Sequence, residues 1–132
     1  MRKIKFRGKT ETGNFIYSNS IEFEKIGGMS ELQPYLRYNG EYVRVNPETV
    51  GQFTGIKDAE GVEIYEGDIL AWMDDLNTPK MYVVKYDNRT ASFRLFDSNE
   101  VRTRAVFDEY TCSKYRKIIG NIYDNTEFMK GE

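Results

Sequence analysis

"GIKDAEGVEIYEGDIL", residues 55–70, holds three glycines and five acidic side chains in sixteen positions. Such a stretch is either an acidic metal loop or the punctuation between strands. The EF-hand arrangement requires oxygen ligands at alternate positions over twelve residues, with Gly sixth and Glu last. Counting from Asp58, a valine (Val62) stands fifth and the glycine (Gly61) falls fourth. Asp58, Glu60 and Glu63 therefore do not match that metal loop. Turn chemistry accounts for the same residues. Asp58 suits the first position of a type I turn, and Gly61 suits the left-handed residue that closes a bulged hairpin between "FTGIK" and "VEIY". In "YEGD", Gly67 supplies a second positive-φ position, and Asp68 can cap the turn with its carboxylate before "ILAWM" begins a strand. Gly55, Asp58, Gly61, Gly67 and Asp68, with Gly120 further on, thus form a structural turn motif.

Outward from this stretch the chain alternates short strands and turns. "KIKFRGK" has period two, with Ile4 and Phe6 expected on one face and Lys3, Lys5, Arg7 and Lys9 on the other. "FIYS", "IEFE" and "EYVRV" are further short strands. Pro34 forbids a long helix in "KIGGMSELQPY". "NPETVGQ" predicts one helical turn, with Asn46 as cap and Pro47 first inside it. "MYVVKY", "DNRTAS" and "FRLFD" predict a hairpin. "DDLNTPK" is a polar loop. Residues 97–114 are polar, with "RAVF" as a candidate strand. "YRKIIGNIY" is strand-like with a bulge at Gly120. "DNTE" offers a weak capping box, Asp124 and Glu127, for a short terminal helix. There is no internal repeat and no linker.

The expected fold is mainly β. It is a small β-barrel-like domain with a β-rich N-terminal layer and only short helical turns. The chain reads as a single domain over residues 1–132, with a possible subdivision into an N-terminal β layer (1–52) and a barrel-like part (53–132). Its 132 residues, 39% hydrophobic and 30% charged, are enough to bury a core without covalent staples. Ten Tyr and eight Phe favour pleated, half-buried surfaces.

Composition also removes chemistries. With no histidine in the chain, Ser-His-Asp and Cys-His nucleophile pairs and histidine metal sites are excluded. The one cysteine, Cys112, can form no intramolecular disulfide and no thiolate zinc site, and has no histidine to activate it. Net charge is -2, spread evenly, so no global field attracts nucleic acid or an anionic membrane. No stretch approaches the roughly 18 apolar residues of a membrane span. "MRKIKFRGK" lacks the apolar run of a signal peptide. The expected compartment is the cytoplasm.

Three stretches, "MRKIKFRGK" (1–9), "QFTGIKDAEGVEIYEGDIL" (52–70) and "IIGNIYDN" (118–125), together resemble the YopX family of small proteins encoded by bacteriophages and prophages. The middle motif is the specific one. Residues of about 10–48 and 74–112 carry little of the resemblance. Where family members often continue "IKFR" with Ala-Trp-Asp, this chain has Gly8, Lys9 and Thr10, so no role of that Trp transfers. The resemblance implies a β-rich fold, a phage or prophage origin and a bacterial host cell. It carries over no catalytic residue. The matched residues Gly55, Gly61, Tyr65, Gly67, Asp68, Gly120 and Asn121 are of turn-building types.

The expected function is that of a phage or prophage accessory protein, a non-enzymatic module that binds a protein partner or assembles with itself, without cofactor or metal. The alternative is a nucleic-acid-binding small barrel. In that case Lys3, Lys5, Arg7 and Lys9 would track phosphates, and Tyr17, Tyr35, Tyr38 and Trp72 would offer stacking platforms. The remote alternative is a carboxylate hydrolase using a divalent metal, with Asp74 and Asp75 beside Trp72. Trp72 and the tyrosine-rich strands are expected first as core anchors and second as interface contacts.

Overall fold

The computed structural model describes residues 3–28, 30–73 and 80–130. The stretch at 55–70 folds as strand, turn, strand, turn, strand: β6 (Gly51–Lys57), β7 (Glu63–Tyr65) and β8 (Asp68–Trp72). In the first turn the Asp58 amide donates to the Val62 carbonyl (2.8 Å) and the Gly61 amide to the Asp58 carbonyl (3.0 Å). In the second, Asp68 Oδ2 accepts from the Tyr65 amide at 2.7 Å. Gly67 has φ +95°, and a Cβ there would sit 2.8 Å from the Tyr123 ring. Its amide donates to the Val84 carbonyl and its carbonyl accepts from the Ile122 amide. This turn is therefore clasped on two sides, which explains the glycine. Gly55 departs from the expected turn role. It lies inside β6 with φ +89°, so it bends a strand and does not close a turn.

β6 also carries the boundary between two compact units, one up to Phe53 and one from Thr54 onward. In the first, β1 (Phe6–Lys9) pairs antiparallel with β2 (Phe15–Ser18) and with the start of β6, where Arg7 opposes Gly51. A second sheet has β4 (Gln33–Tyr38) between β3 (Ile21–Glu24) and β5 (Glu41–Arg44). Pro34 falls near the start of β4, a position that tolerates the missing amide, and its carbonyl accepts from Val45. The core is Ile16, Leu36 and Val45, backed by Phe6, Ile21, Val43 and Val50. Asn46 caps the expected helical turn, a 3-10 turn at Pro47–Thr49, by accepting from the Glu48 amide at 3.0 Å.

The second unit is built on an antiparallel sheet in the order β10-β9-β8-β11, curled as a half-barrel, with β9 at Met81–Asp87, β10 at Ser92–Phe96 and β11 at Arg116–Asn121. The period of two splits its side chains between two apolar clusters. Leu70, Val84 and Leu95 pack with Ile64 and Cys112 on one face, while Ile69 and Val83 pack with Phe128 on the other. The bulge expected at Gly120 is present as a register shift between Ile118 and Gly120. A Cβ at Gly120 would collide with the Asn125 amide group, whose Oδ1 accepts from the Asn121 amide.

Two local expectations change. "RAVF" (104–107) forms no strand, and the region instead makes one bridge, Phe96 to Arg102, and then α1 (Glu109–Tyr115). Asp108 starts this helix, its Oδ1 accepting from the Thr111 amide at 2.7 Å. The terminal helical turn exists as a 3-10 segment, Thr126–Lys130, but the Asn121 and Asn125 side chains shape its approach. Among the described residues, no helix is long and apolar enough to cross a membrane.

Asp58 is 3% exposed, and its carboxylate accepts three backbone hydrogens: from Glu60 (2.9 Å), Val62 (2.9 Å) and Ile118 (3.0 Å). Asp58→Ala is expected to destabilise the chain by about 3 kcal/mol or more, since each abandoned donor costs about 1–3 kcal/mol. Asp58→Asn, which keeps one acceptor oxygen, is expected to lose about half of that. Gly67→Ala is expected to cost at least about 2 kcal/mol, from left-handed backbone strain and the Tyr123 clash. Urea unfolding followed by circular dichroism measures all three; variants as stable as the parent would refute the assigned roles.

Candidate functional site

The N-terminal cations do not form the expected solvent-facing ridge. Lys3 and Lys5 precede β1, with Lys3 exposed and Lys5 half-buried. Arg7 is 4% exposed, with its guanidinium carbon 4.4 Å from the centre of the Phe15 ring, and Lys9 Nζ approaches the same ring at 5.2 Å. Strand alternation predicted a polar face here. The structure places an aromatic ring from β2 over that face, and Arg7 lies against it. A phosphate-tracking surface of four cations is thereby lost at its centre.

The acidic stretch is committed to its turns. Both Asp58 oxygens accept amide hydrogens, and Glu60 Oε1 lies 3.3 Å from Lys117 Nζ. Among the described residues no three Asp, Glu or Cys side chains converge as a metal site would require. Asp74 and Asp75 lie outside the described residues.

The concentration of unusual chemistry is instead at the junction of α1 and β11. Arg116 is 2% exposed. Its backbone is fixed at both ends: its amide donates to the Cys112 carbonyl, and its carbonyl accepts from the Ala59 amide at 2.8 Å. Pairing of β11 with β8 sets Arg116 directly opposite Trp72. In the next row Ile118 opposes Leu70, and Leu70 opposes Tyr82 on β9. Trp72 and Tyr82 therefore share a face with Arg116, whose guanidinium carbon lies 4.4 Å from the Trp72 ring centre and 5.5 Å from that of Tyr82. These rings attract the cation through their π faces. They offer no strong acceptor for its N–H groups. Among the described residues, Nε and Nη1 of Arg116 are buried without a hydrogen-bond partner, and burial lowers the guanidinium's pKa.

The cluster continues to the surface. Tyr115 packs on Trp72 (5.7 Å between ring centres), and Tyr110 packs on Tyr115 (6.5 Å). Lys114 Nζ lies 4.4 Å from the centre of the Tyr110 ring. Tyr115 is 41% exposed and Tyr110 60%. Three rings in succession thus lead from a buried guanidinium to a lysine at the surface. Trp72 was visible in the sequence as an anchor. Tyr82, Tyr110, Tyr115 and Arg116 were not, because only strand pairing and an unforeseen helix bring together residues so far apart in the chain.

Cys112 sits beneath this cluster, fully buried, and burial pushes its thiol up to about 11. Since the thiolate is the reactive form, the folded chain is expected to resist Ellman's reagent at pH 8 and to react with one equivalent on unfolding. Rapid labelling of the folded protein would contradict this placement.

The crystal structure of protein EF1440 from Enterococcus faecalis is similar to this chain, with a TM-score of 0.61 and 23% identity over 98% of this chain and 99% of that one. That likeness concerns the fold. No curated protein matches the chain. The YopX protein family matches it over residues 5–130, through both units and the whole of the cluster around Arg116, and the chain belongs to that family.

Proposed function

We propose that the chain is a non-enzymatic accessory protein of a phage or prophage, acting in the bacterial cytoplasm, that binds a protein partner or a second copy of itself through the aromatic surface of α1 and β11. The observation that carries this reading is the continuous ring cluster Trp72–Tyr115–Tyr110, anchored in the sheet and exposed at its outer end. Large amphipathic rings held by their neighbours lose little entropy on association, which is why Tyr and Trp dominate interface energetics. The absence of histidine supports the non-enzymatic part, and membership of the YopX family supports the setting.

Sedimentation velocity over a hundred-fold concentration range tests self-association. Tyr110→Ser with Tyr115→Ser removes the exposed rings while leaving Trp72 and Arg116 in place. If the wild type associates, the double variant is expected to weaken association at least about tenfold, the effect of losing about 1.4 kcal/mol. If the wild type is monomeric, tagged wild type and double variant are used side by side to capture partners from infected cells after nuclease treatment. A partner retained by the wild type and lost by the variant supports the reading. Equal behaviour of the two proteins in both experiments overturns it.

A further inference from the structure

Arg116 makes a demand that the fold leaves unanswered. A guanidinium carries five N–H donors in a planar fork, and a buried donor without an acceptor is costly. Elsewhere in the second unit buried charge is well served. Asp58 accepts three amides, and Asp87 accepts from Arg89, Thr90 and Arg102. Among the described residues, Arg116 has Nε and Nη1 buried and unpartnered, between rings that hold the guanidinium by its π faces. Asp108, a carboxylate whose charge acts on Arg116, is spent on the Thr111 amide at the start of α1. An apolar side chain of similar length would fill the same space without desolvating a charge.

We propose that Arg116 is the receptor of an oxyanion. The cluster of Trp72, Tyr82 and Tyr115 admits a carboxylate or phosphate group of a ligand, and the guanidinium of Arg116 binds it. Nη2 shares one edge of the planar group with Nε and the other with Nη1, so either edge presents two parallel N–H donors to two oxygens of one group, and the low polarity around them strengthens the pairing. The flanking rings orient the fork and exclude water. This inference rests on the reading of the α1–β11 surface as a binding surface, and it states what chemistry the bound partner presents there.

The test uses the full chain with inorganic phosphate and with acetate, against chloride at equal ionic strength. The Arg116 Nε–H signal, identified by its loss in Arg116→Lys, is followed by nitrogen–proton NMR during each titration. The expected result is a saturable shift of that signal with phosphate, acetate or both, but not with chloride, and a saturable rise in melting temperature of about 3 °C or more near a hundred times Kd. Phosphate alone identifies a phosphate-bearing ligand; acetate alone, a carboxylate-bearing one. Arg116→Lys keeps the charge and loses the fork, so binding is expected to weaken about tenfold. Arg116→Met is expected to melt at or above the wild-type temperature and to show no anion-dependent rise. No saturable, anion-specific change at the Arg116 Nε–H signal of the wild type overturns the proposal, whether or not either variant folds. If that happens while association still depends on Tyr110 and Tyr115, the binding surface stands and the anion receptor alone falls.

Discussion

One buried carboxylate holds the second unit in register. Asp58 closes its own turn through the amides of Glu60 and Val62 and, with its other oxygen, takes the amide of Ile118, 60 positions later. The Ala59 amide adds a parallel tie to the Arg116 carbonyl. These bonds stitch the tip of one hairpin to the beginning of β11, and β11 in turn pairs with β8. A charged acceptor with several amide donors is among the stronger polar arrangements available to a protein interior. Because the period of a strand is two, a slip of one residue in β11 would carry Arg116 away from Trp72 and turn Ile118 out of the core. The geometry of the aromatic–cation cluster is therefore a consequence of the turn at residues 58–61.

The chain handles its buried cations in two related ways. Arg7 lies against Phe15 in the first unit, and Arg116 lies between Trp72 and Tyr82 in the second. In both, an aromatic face lies against the guanidinium. In the second unit the rings restrain the Arg116 side chain without neutralising it, so its charge stays available to whatever approaches its edge. It sits beside the buried Cys112 thiol and below rings that reach the surface.

Much of the fold was legible because turn chemistry is local. The Asp58–Gly61 and Gly67–Asp68 turns, the Asn46–Pro47 helical turn, the hairpin of β9 and β10 and the Gly120 bulge each declare themselves within a few residues. The helix α1 did not. Its seven residues lie in a polar region, and its start depends on the single capping carboxylate of Asp108. The buried arginines escaped notice for a different reason. A period-two pattern assigns every charged residue to water, and only the partner strand reveals that a ring covers it. Gly55 shows the same limit, since a glycine in a strand and a glycine in a turn are identical in sequence. The candidate site was therefore nearly invisible: Trp72 announced itself, and the cation opposite it did not.

The Asp58–Ile118 tie also shapes the order of events when the chain is made. The hairpin of β6 and β7 and that of β9 and β10 can form from neighbouring residues as soon as these emerge from the ribosome. β8 must wait for β11 to gain its second neighbour, and the Asp58 carboxylate remains without its third donor until then. Sheets closed by distant pairings assemble slowly, so the nascent second unit passes through a stage with one flank of β8 uncovered. During that interval an unfilled strand edge would be open to chaperones or to another nascent copy.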